Sequence, residues 1–153
     1  MKYVNIVGRR FLMIYWAIFK PLSFGTRVML LCKNEVLLVK HTYISGYFLP
    51  GGGVKKSELF ENSARRELKE EVGILVNNLS VFGIYKSIKE QKYTTNVVFI
   101  SKLSKKPTLK IQKDELVEAG FFNINKLPLK TSPGTKRRIK EYIEGNFPIT
   151  GEW

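Results

Sequence analysis

Cysteine, histidine and aspartate each occur once in this 153-residue chain, as Cys32, His41 and Asp114. One cysteine and one histidine cannot build a disulfide framework, and they make a zinc site improbable. Cys32 sits inside the apolar run VMLLCK, a setting that suits a reducing compartment, so a cytoplasmic location is expected. Long apolar runs are missing too. The stretch Phe11 to Phe19 has nine apolar residues, against the roughly 20 that a membrane-spanning helix needs, so no span is expected. No internal repeat and no low-complexity linker interrupts the chain. Negative charge is scarce: 13 Asp and Glu stand against 26 Lys and Arg, for a net charge of +13. Such a balance attracts anions, whether nucleotides, nucleic acid or an acidic membrane face, and is silent about fold.

With 44% of its residues apolar, the chain is sized for one compact domain with a hydrophobic core. Arg9 and Arg10 precede the Phe11 to Phe19 run and Lys20-Pro21 ends it. This pattern predicts an N-terminal helix stopped at Pro21 and packed on the domain or in a homodimer contact. Its cations and Trp16 keep a membrane-surface helix open. A secretory or twin-arginine leader is disfavoured, because no small-residue cleavage site follows. The expected division is a helical extension over 1–25, a domain over 26–146 and a tail over 147–153.

From Thr26 the pattern changes to short apolar runs. TRVMLLCK and VLLVKH, on either side of Asn34-Glu35, predict a hairpin of buried strands. GYFLPGGG follows as a loop whose glycines permit close backbone approach. A helix is expected from Ser57, as N-cap, to Val72, with Gly73 as its stop. LSVFGIYKSIK and YTTNVVFISKL read as strands joined by a turn near Glu90 to Lys92, and EAGFFNI as another. Ser132-Pro133 announces a last helix, closed near Gly145.

At ~100° per residue, the first of these helices sorts into stripes. Phe60, Ala64, Leu68 and Val72 form an apolar face, and Glu67, Glu70 and Glu71 gather on the edge beside it. Glu61 with Arg65 and Arg66 with Glu70 are ordinary i,i+4 ion pairs. Glu67 with Glu71 is a like-charge pair, which costs a few tenths of a kcal/mol in an isolated helix. A divalent cation would remove that conflict, and clustered carboxylate oxygens favour Mg²⁺ or Mn²⁺ over softer metals.

Residues 52 to 74, GGVKKSELFENSARRELKEEVGI, resemble the Nudix box: Gly, any five, Glu, any seven, Arg-Glu-apolar-any-Glu-Glu-any-Gly-apolar. Gly52, Glu58, Arg66, Glu67, Leu68, Glu70, Glu71, Gly73 and Ile74 fill its nine fixed positions. Ser57 departs from the glycine that many members carry. The resemblance, which extends over roughly Thr26 to Glu144, implies an α/β fold, a Nudix-type α/β/α sandwich around a central mixed sheet, here with the N-terminal helix added. It also implies a pyrophosphohydrolase that cleaves a nucleoside diphosphate linked to another group with Mg²⁺ or Mn²⁺. Glu67, Glu70 and Glu71 would hold metal, or one of them help deprotonate water; the Gly52 carbonyl would be a further ligand; Arg66 and Glu58 would brace the loop and helix.

Outside the box, KDELVEAGFF offers an additional acid, with Glu115 ranked before Glu118 and beside Asp114. Arg27, Lys40, His41, Lys86 and Lys89 are candidate phosphate contacts, and Tyr47 and Phe48 candidate base-stacking residues. ADP-ribose-cleaving relatives tend to carry a proline about sixteen residues past the box, whereas no proline lies between Pro50 and Pro107. The motif typical of coenzyme A-cleaving relatives is missing as well. A nucleoside triphosphate or other small nucleotide is therefore the first substrate class, with nucleotide sugars next. The net charge keeps RNA 5′ ends as an alternative, although no aromatic-basic RNA motif stands out. A non-catalytic nucleotide- or RNA-binding module is the other alternative, disfavoured because every box glutamate is retained.

Overall fold

The computed structural model describes residues 22–89 and 92–153; the expected N-terminal helix and the tip of the turn at 90–91 lie outside them. The strands are β1 (Leu22–Cys32), β2 (Glu35–His41), β3 (Ser80–Lys89), β4 (Lys92–Leu103), β5 (Leu116–Asn123) and β6 (Ile149–Glu152). Helix α1 runs over Phe60–Val72 and α2 over Pro133–Ile143. The strands form one mixed sheet in the order β5-β2-β1-β4-β3-β6. β1 with β4 and β3 with β6 are parallel, and the other neighbours are antiparallel.

Alternation along the two central strands explains the layering. Val28 and Leu30 of β1 and Leu37 and Val39 of β2 pack with Ala64, Leu68 and Val72 of α1. Their neighbours Met29, Leu31, Val36 and Leu38 pack with Ile139 of α2. Strands covered on both faces read as continuous apolar runs, and each such side chain stabilises the fold by roughly 1.5–3 kcal/mol. The result is the expected α/β/α sandwich.

Four boundaries differ from the sequence expectation. β1 starts at Leu22, before Thr26, because Leu22 to Gly25 pair with Tyr93 to Asn96 of β4, a partner remote in sequence. The hairpin turn is Lys33-Asn34, with Lys33 at φ 54°. α1 starts at Phe60, with Leu59 as an N-cap that makes no side-chain capping bond; Ser57 has φ 64°, a left-handed geometry that prevents it from capping and suits the glycine found there in similar proteins. The expected tail supplies β6, which pairs with Gly83 to Lys86. What draws it in is buried Arg138. Its guanidinium bonds both carboxylate oxygens of Glu141 at 2.6 and 2.7 Å and the Glu152 carbonyl at 3.0 Å, and it lies 3.7 Å from the Tyr85 ring centre and 5.6 Å from that of Trp153. α2 follows expectation: Ser132 Oγ accepts the Thr135 N–H at 3.2 Å, and Pro133 fills a first-turn position where a missing N–H costs nothing.

One feature of the sheet positions the site. β1 and β2 pair directly only at Leu31 with Val36 and Cys32 with Glu35, and away from that turn they splay apart. Residues 48–54 fill the gap. Toward β2, Phe48 exchanges two backbone bonds with Val39, each 2.9 Å. Toward β1, the Thr26 and Val28 N–H groups reach the Gly52 and Pro50 carbonyls at 2.9 Å, and the Val54 N–H reaches the Phe24 carbonyl at 3.0 Å.

Candidate active site

The wedged segment lies against α1 at its glycines. Gly51 has φ 133°, and a Cβ there would meet the Thr26 carbonyl oxygen at 2.2 Å, so another residue would break the wedge. A Cβ at Gly52 would meet the Glu67 carboxylate at 2.7 Å. Glycine thus lets bare backbone touch an acid. The Gly52 carbonyl accepts the Thr26 N–H, and a carbonyl oxygen has a second lone pair for a ligand.

Glu71 is 2% exposed. Its Oε2 accepts the Gly51 N–H at 2.9 Å. Burial pushes its carboxyl up to about 7; the Gly51 bond and then Arg27 oppose the rise, while Glu67 and Glu115 add to it. Arg27 donates to the Gly51 carbonyl. His41, also buried, has Nε2 4.0 Å from Glu71 Oε1 and its ring 5.0 Å from that of Tyr43 and 5.9 Å from that of Phe48. Burial first, and Arg27 second, push the imidazole pKa down. At 4.0 Å a neutral imidazole neither pairs with nor hydrogen-bonds Glu71. Among the described residues, the buried His41 Nδ1 has no hydrogen-bond partner.

Arg66 organises the outer half. Its Nε and Nη2 bond Glu58 at 2.8 and 2.9 Å, its Nη1 bonds Glu67 at 2.6 Å and Glu70 at 3.0 Å, and its Nη2 reaches the Gly53 carbonyl at 3.1 Å. Glu58 also accepts the Lys55 N–H at 2.9 Å. Arg66 and then that N–H hold the Glu58 carboxyl down at about 2. The protein itself eases the crowding of Glu67, Glu70 and Glu71 in part: Arg66 shares its single charge between Glu67 and Glu70 as well as Glu58, and burial favours the protonated form of Glu71. Among the described residues, no three His, Cys, Asp or Glu side chains are gathered closely enough to enclose an ion.

The donor set still fits a hard dication in its chemistry. Glu67 touches Gly52, Glu71 reaches Gly51, and the hydrogen-bond partner of the buried Glu71 is a neutral amide, so a dication that displaces the Glu71 proton would meet a carboxylate oxygen with no ion-pair partner of its own. Glu70, 48% exposed, is held by Arg66 at the rim.

The remaining candidates divide. Glu115 comes to the site, its carbonyl accepting the Thr42 N–H at 2.9 Å and its charge acting on Glu71. Asp114 receives the Thr42 hydroxyl on its carbonyl at 3.5 Å. Lys40, Tyr47 and Glu118 are placed with one another. The Tyr47 hydroxyl donates to Glu118 at 2.7 Å, Lys40 Nζ lies 5.9 Å from the Tyr47 ring centre, and Tyr47 packs edge-on against Phe122. Lys86 stands apart from these. β4 separates its strand from β1, and its Nζ lies over Tyr93 at 5.2 Å, so it belongs to the far half of the sheet. Lys89 ends β3 there as well. Two participants escaped the sequence reading: Tyr43, which lies beside His41, and the Gly51 amide, whose only signal is glycine itself.

The architecture is shared with solved structures: a MutT NUDIX hydrolase from Burkholderia pseudomallei superposes with a TM-score of 0.72 at 20% identity, covering 78% of this chain and 97% of that one. The chain belongs to the NUDIX domain family, whose model matches residues 22–143. It is similar to an ADP-ribose pyrophosphatase of Methanocaldococcus jannaschii, 33% identical over 115 residues, covering 72% of this chain and 66% of the relative. It is similar also to the putative 8-oxo-dGTP diphosphatase YtkD of Bacillus subtilis, 32% identical over 111 residues, covering 71% of this chain and 68% of the relative. The match thus spans about two thirds of the length of each relative. The domain is a hydrolase domain of the pyrophosphatase class, acting on acid anhydrides.

Proposed function

We propose that this chain is a Mg²⁺- or Mn²⁺-dependent pyrophosphohydrolase that cleaves a nucleoside diphosphate linked to another group, with nucleoside triphosphates and other small nucleotides as its substrates. The observation that carries this reading is the contact of the glycine wedge with the acidic edge of α1, where Glu67 meets Gly52 and Glu71 meets Gly51. Glu67, Glu70, Glu71 and the Gly52 carbonyl would hold the cation. When bound, the cation neutralises the diphosphate and makes its phosphorus a better target for water. Arg66 and Glu58 fix the loop that presents these oxygens. Glu115 or one of the box glutamates accepts the proton of the attacking water. Arg27 and His41, on the inner side of Glu71, are the candidate phosphate contacts, and the basic surface draws the polyanion in.

The two relatives are named for ADP-ribose and for 8-oxo-dGTP. Both molecules are nucleoside diphosphates bearing one more group, so ADP-ribose stays in the substrate set although the proline noted above is missing. The test is a screen of nucleoside di- and triphosphates, ADP-ribose and nucleotide sugars with Mg²⁺, reading released phosphate, pyrophosphate and nucleotide. Glu70→Gln and Glu71→Gln should each lower turnover about 100-fold or more with an unchanged circular dichroism spectrum. Near-normal turnover in both variants, or turnover that survives excess chelator, would refute the assignment. Turnover confined to capped or triphosphorylated RNA, falling steeply with salt, would move the substrate to RNA ends.

A further inference from the structure

The face of α2 turned away from the core has no part in the nucleotide chemistry. Thr135, Arg138 and Ile139 are buried, which turns Lys136, Arg137 and Lys140 outward, where all three are exposed. The loop before α2 adds exposed Lys126 and Lys130. Between those two lysines stands Leu129, 96% exposed. Its position is fixed rather than incidental. The Thr131 amide and hydroxyl both close on the Pro128 carbonyl, at 2.9 and 2.8 Å, and Lys136 Nζ donates to the Leu129 carbonyl at 3.3 Å. A closed turn therefore holds an aliphatic side chain in water and joins it to the cationic helix face. Negative charge offsets only part of this face: Glu141 is turned onto Arg138 and Glu144 pairs with Lys140 at 3.6 Å, while Lys126, Lys130, Lys136 and Arg137 have no acidic side chain within salt-bridge distance among the described residues.

A single exposed leucine is ordinary on any protein surface. A leucine held out among five cations is a combination with a physical use. We propose that this surface docks on an anionic lipid bilayer, with Lys126, Lys130, Lys136, Arg137 and Lys140 over the headgroups and Leu129 entering the interfacial layer. Polybasic segments are drawn to anionic leaflets, and an inserted apolar side chain adds to the attraction. Nucleic acid would satisfy the same cations. The exposed apolar group beside these cations is aliphatic, however, and offers no π-face on which a base could stack. The same turn is tied to the wedge, since the Tyr47 N–H reaches the Lys130 carbonyl at 3.0 Å and the Ser132 N–H reaches the Tyr47 carbonyl at 2.9 Å. Docking would thus bring the catalytic loop close to the bilayer.

The experiment is co-sedimentation of the full chain with phosphatidylcholine vesicles, with and without about 30% phosphatidylserine, at near-physiological salt. The expected result is binding to the anionic vesicles alone, weakened as salt rises. The combined exchange Lys136→Glu, Arg137→Glu and Lys140→Glu should lower the partition coefficient about tenfold or more, and Leu129→Ser should lower it severalfold. Neither variant alters a residue assigned to the site, so kcat for nucleotide hydrolysis at saturating substrate should stay at its wild-type value in both. Failure to bind anionic vesicles, equal binding to neutral ones, or binding that neither variant weakens would overturn the proposal. So would a nucleic-acid pattern, in which RNA competes with vesicles and Leu129→Ser has no effect.

Discussion

Glu71 is an acid whose chemistry and whose surroundings pull in opposite directions. Its place against the Gly51 amide needs an oxygen acceptor, while its burial disfavours the charge. Glutamine keeps the oxygen and drops the charge. Without metal at pH 8, Glu71→Gln should therefore melt at or above the wild-type temperature, by up to roughly 1–2 kcal/mol of added stability. With millimolar Mg²⁺ the wild type should gain stability and the variant gain less. Thermal melts would show it, and equal Mg²⁺ gains in both proteins would remove Glu71 from the cation's shell. Glu58 behaves oppositely. Its folded pKa, about 2, lies below the ordinary 4.5, so its contribution is complete above pH 4.5 and disappears as pH falls toward 2. Glu58→Gln should flatten the acid limb of the melting-temperature curve while lowering its neutral plateau. The spacing of these acids was readable, but their partners were not. Arg66, which reaches Glu58, Glu67 and Glu70 together, is also anchored through Nη2 to the Gly53 carbonyl, whose place is set by the wedge.

At the scale of elements, hydrophobic runs and caps revealed most of the architecture. The hairpin, the box helix, the two long strands and α2 with its Ser132 cap all follow from local pattern. What local pattern could not show is long-range pairing. The first residues of β1 are ordered by β4, some seventy positions away, and β6 by β3 together with Arg138. Nor does a strand's own sequence say that another strand will stand between it and the loop, as β4 stands between Lys86 and β1. The entry to α1 is a local exception. Ser57 sits at φ 64°, where a side chain costs on the order of 1 kcal/mol. Ser57→Gly should recover roughly 0.5–1 kcal/mol in urea unfolding; a destabilised variant would mean that the serine makes an interaction which offsets its backbone.

For the molecule as a whole, two organising centres are separated by the sheet. One is the acidic edge of α1 against the glycine wedge; the other is the buried Arg138, joined to Glu141 and stacked on Tyr85, whose own hydroxyl donates to Glu141 at 2.9 Å. Trp153 covers that second centre and packs on Gly134, where an added Cβ would meet the indole at 2.5 Å. Trp153→Ala should lower unfolding stability by about 1–3 kcal/mol and leave kcat/KM for small nucleotides unchanged; an equal loss of catalysis would show that the two halves are coupled. Through the sheet runs the wedge of residues 48–54, bonded to a strand on each side. A segment so embedded has no hinge about which to swing. The cradle it builds is rigid before any nucleotide arrives, and the amide protons of Phe48 and Val54 should exchange with heavy water as slowly as those of the central strands, whether or not a ligand is present.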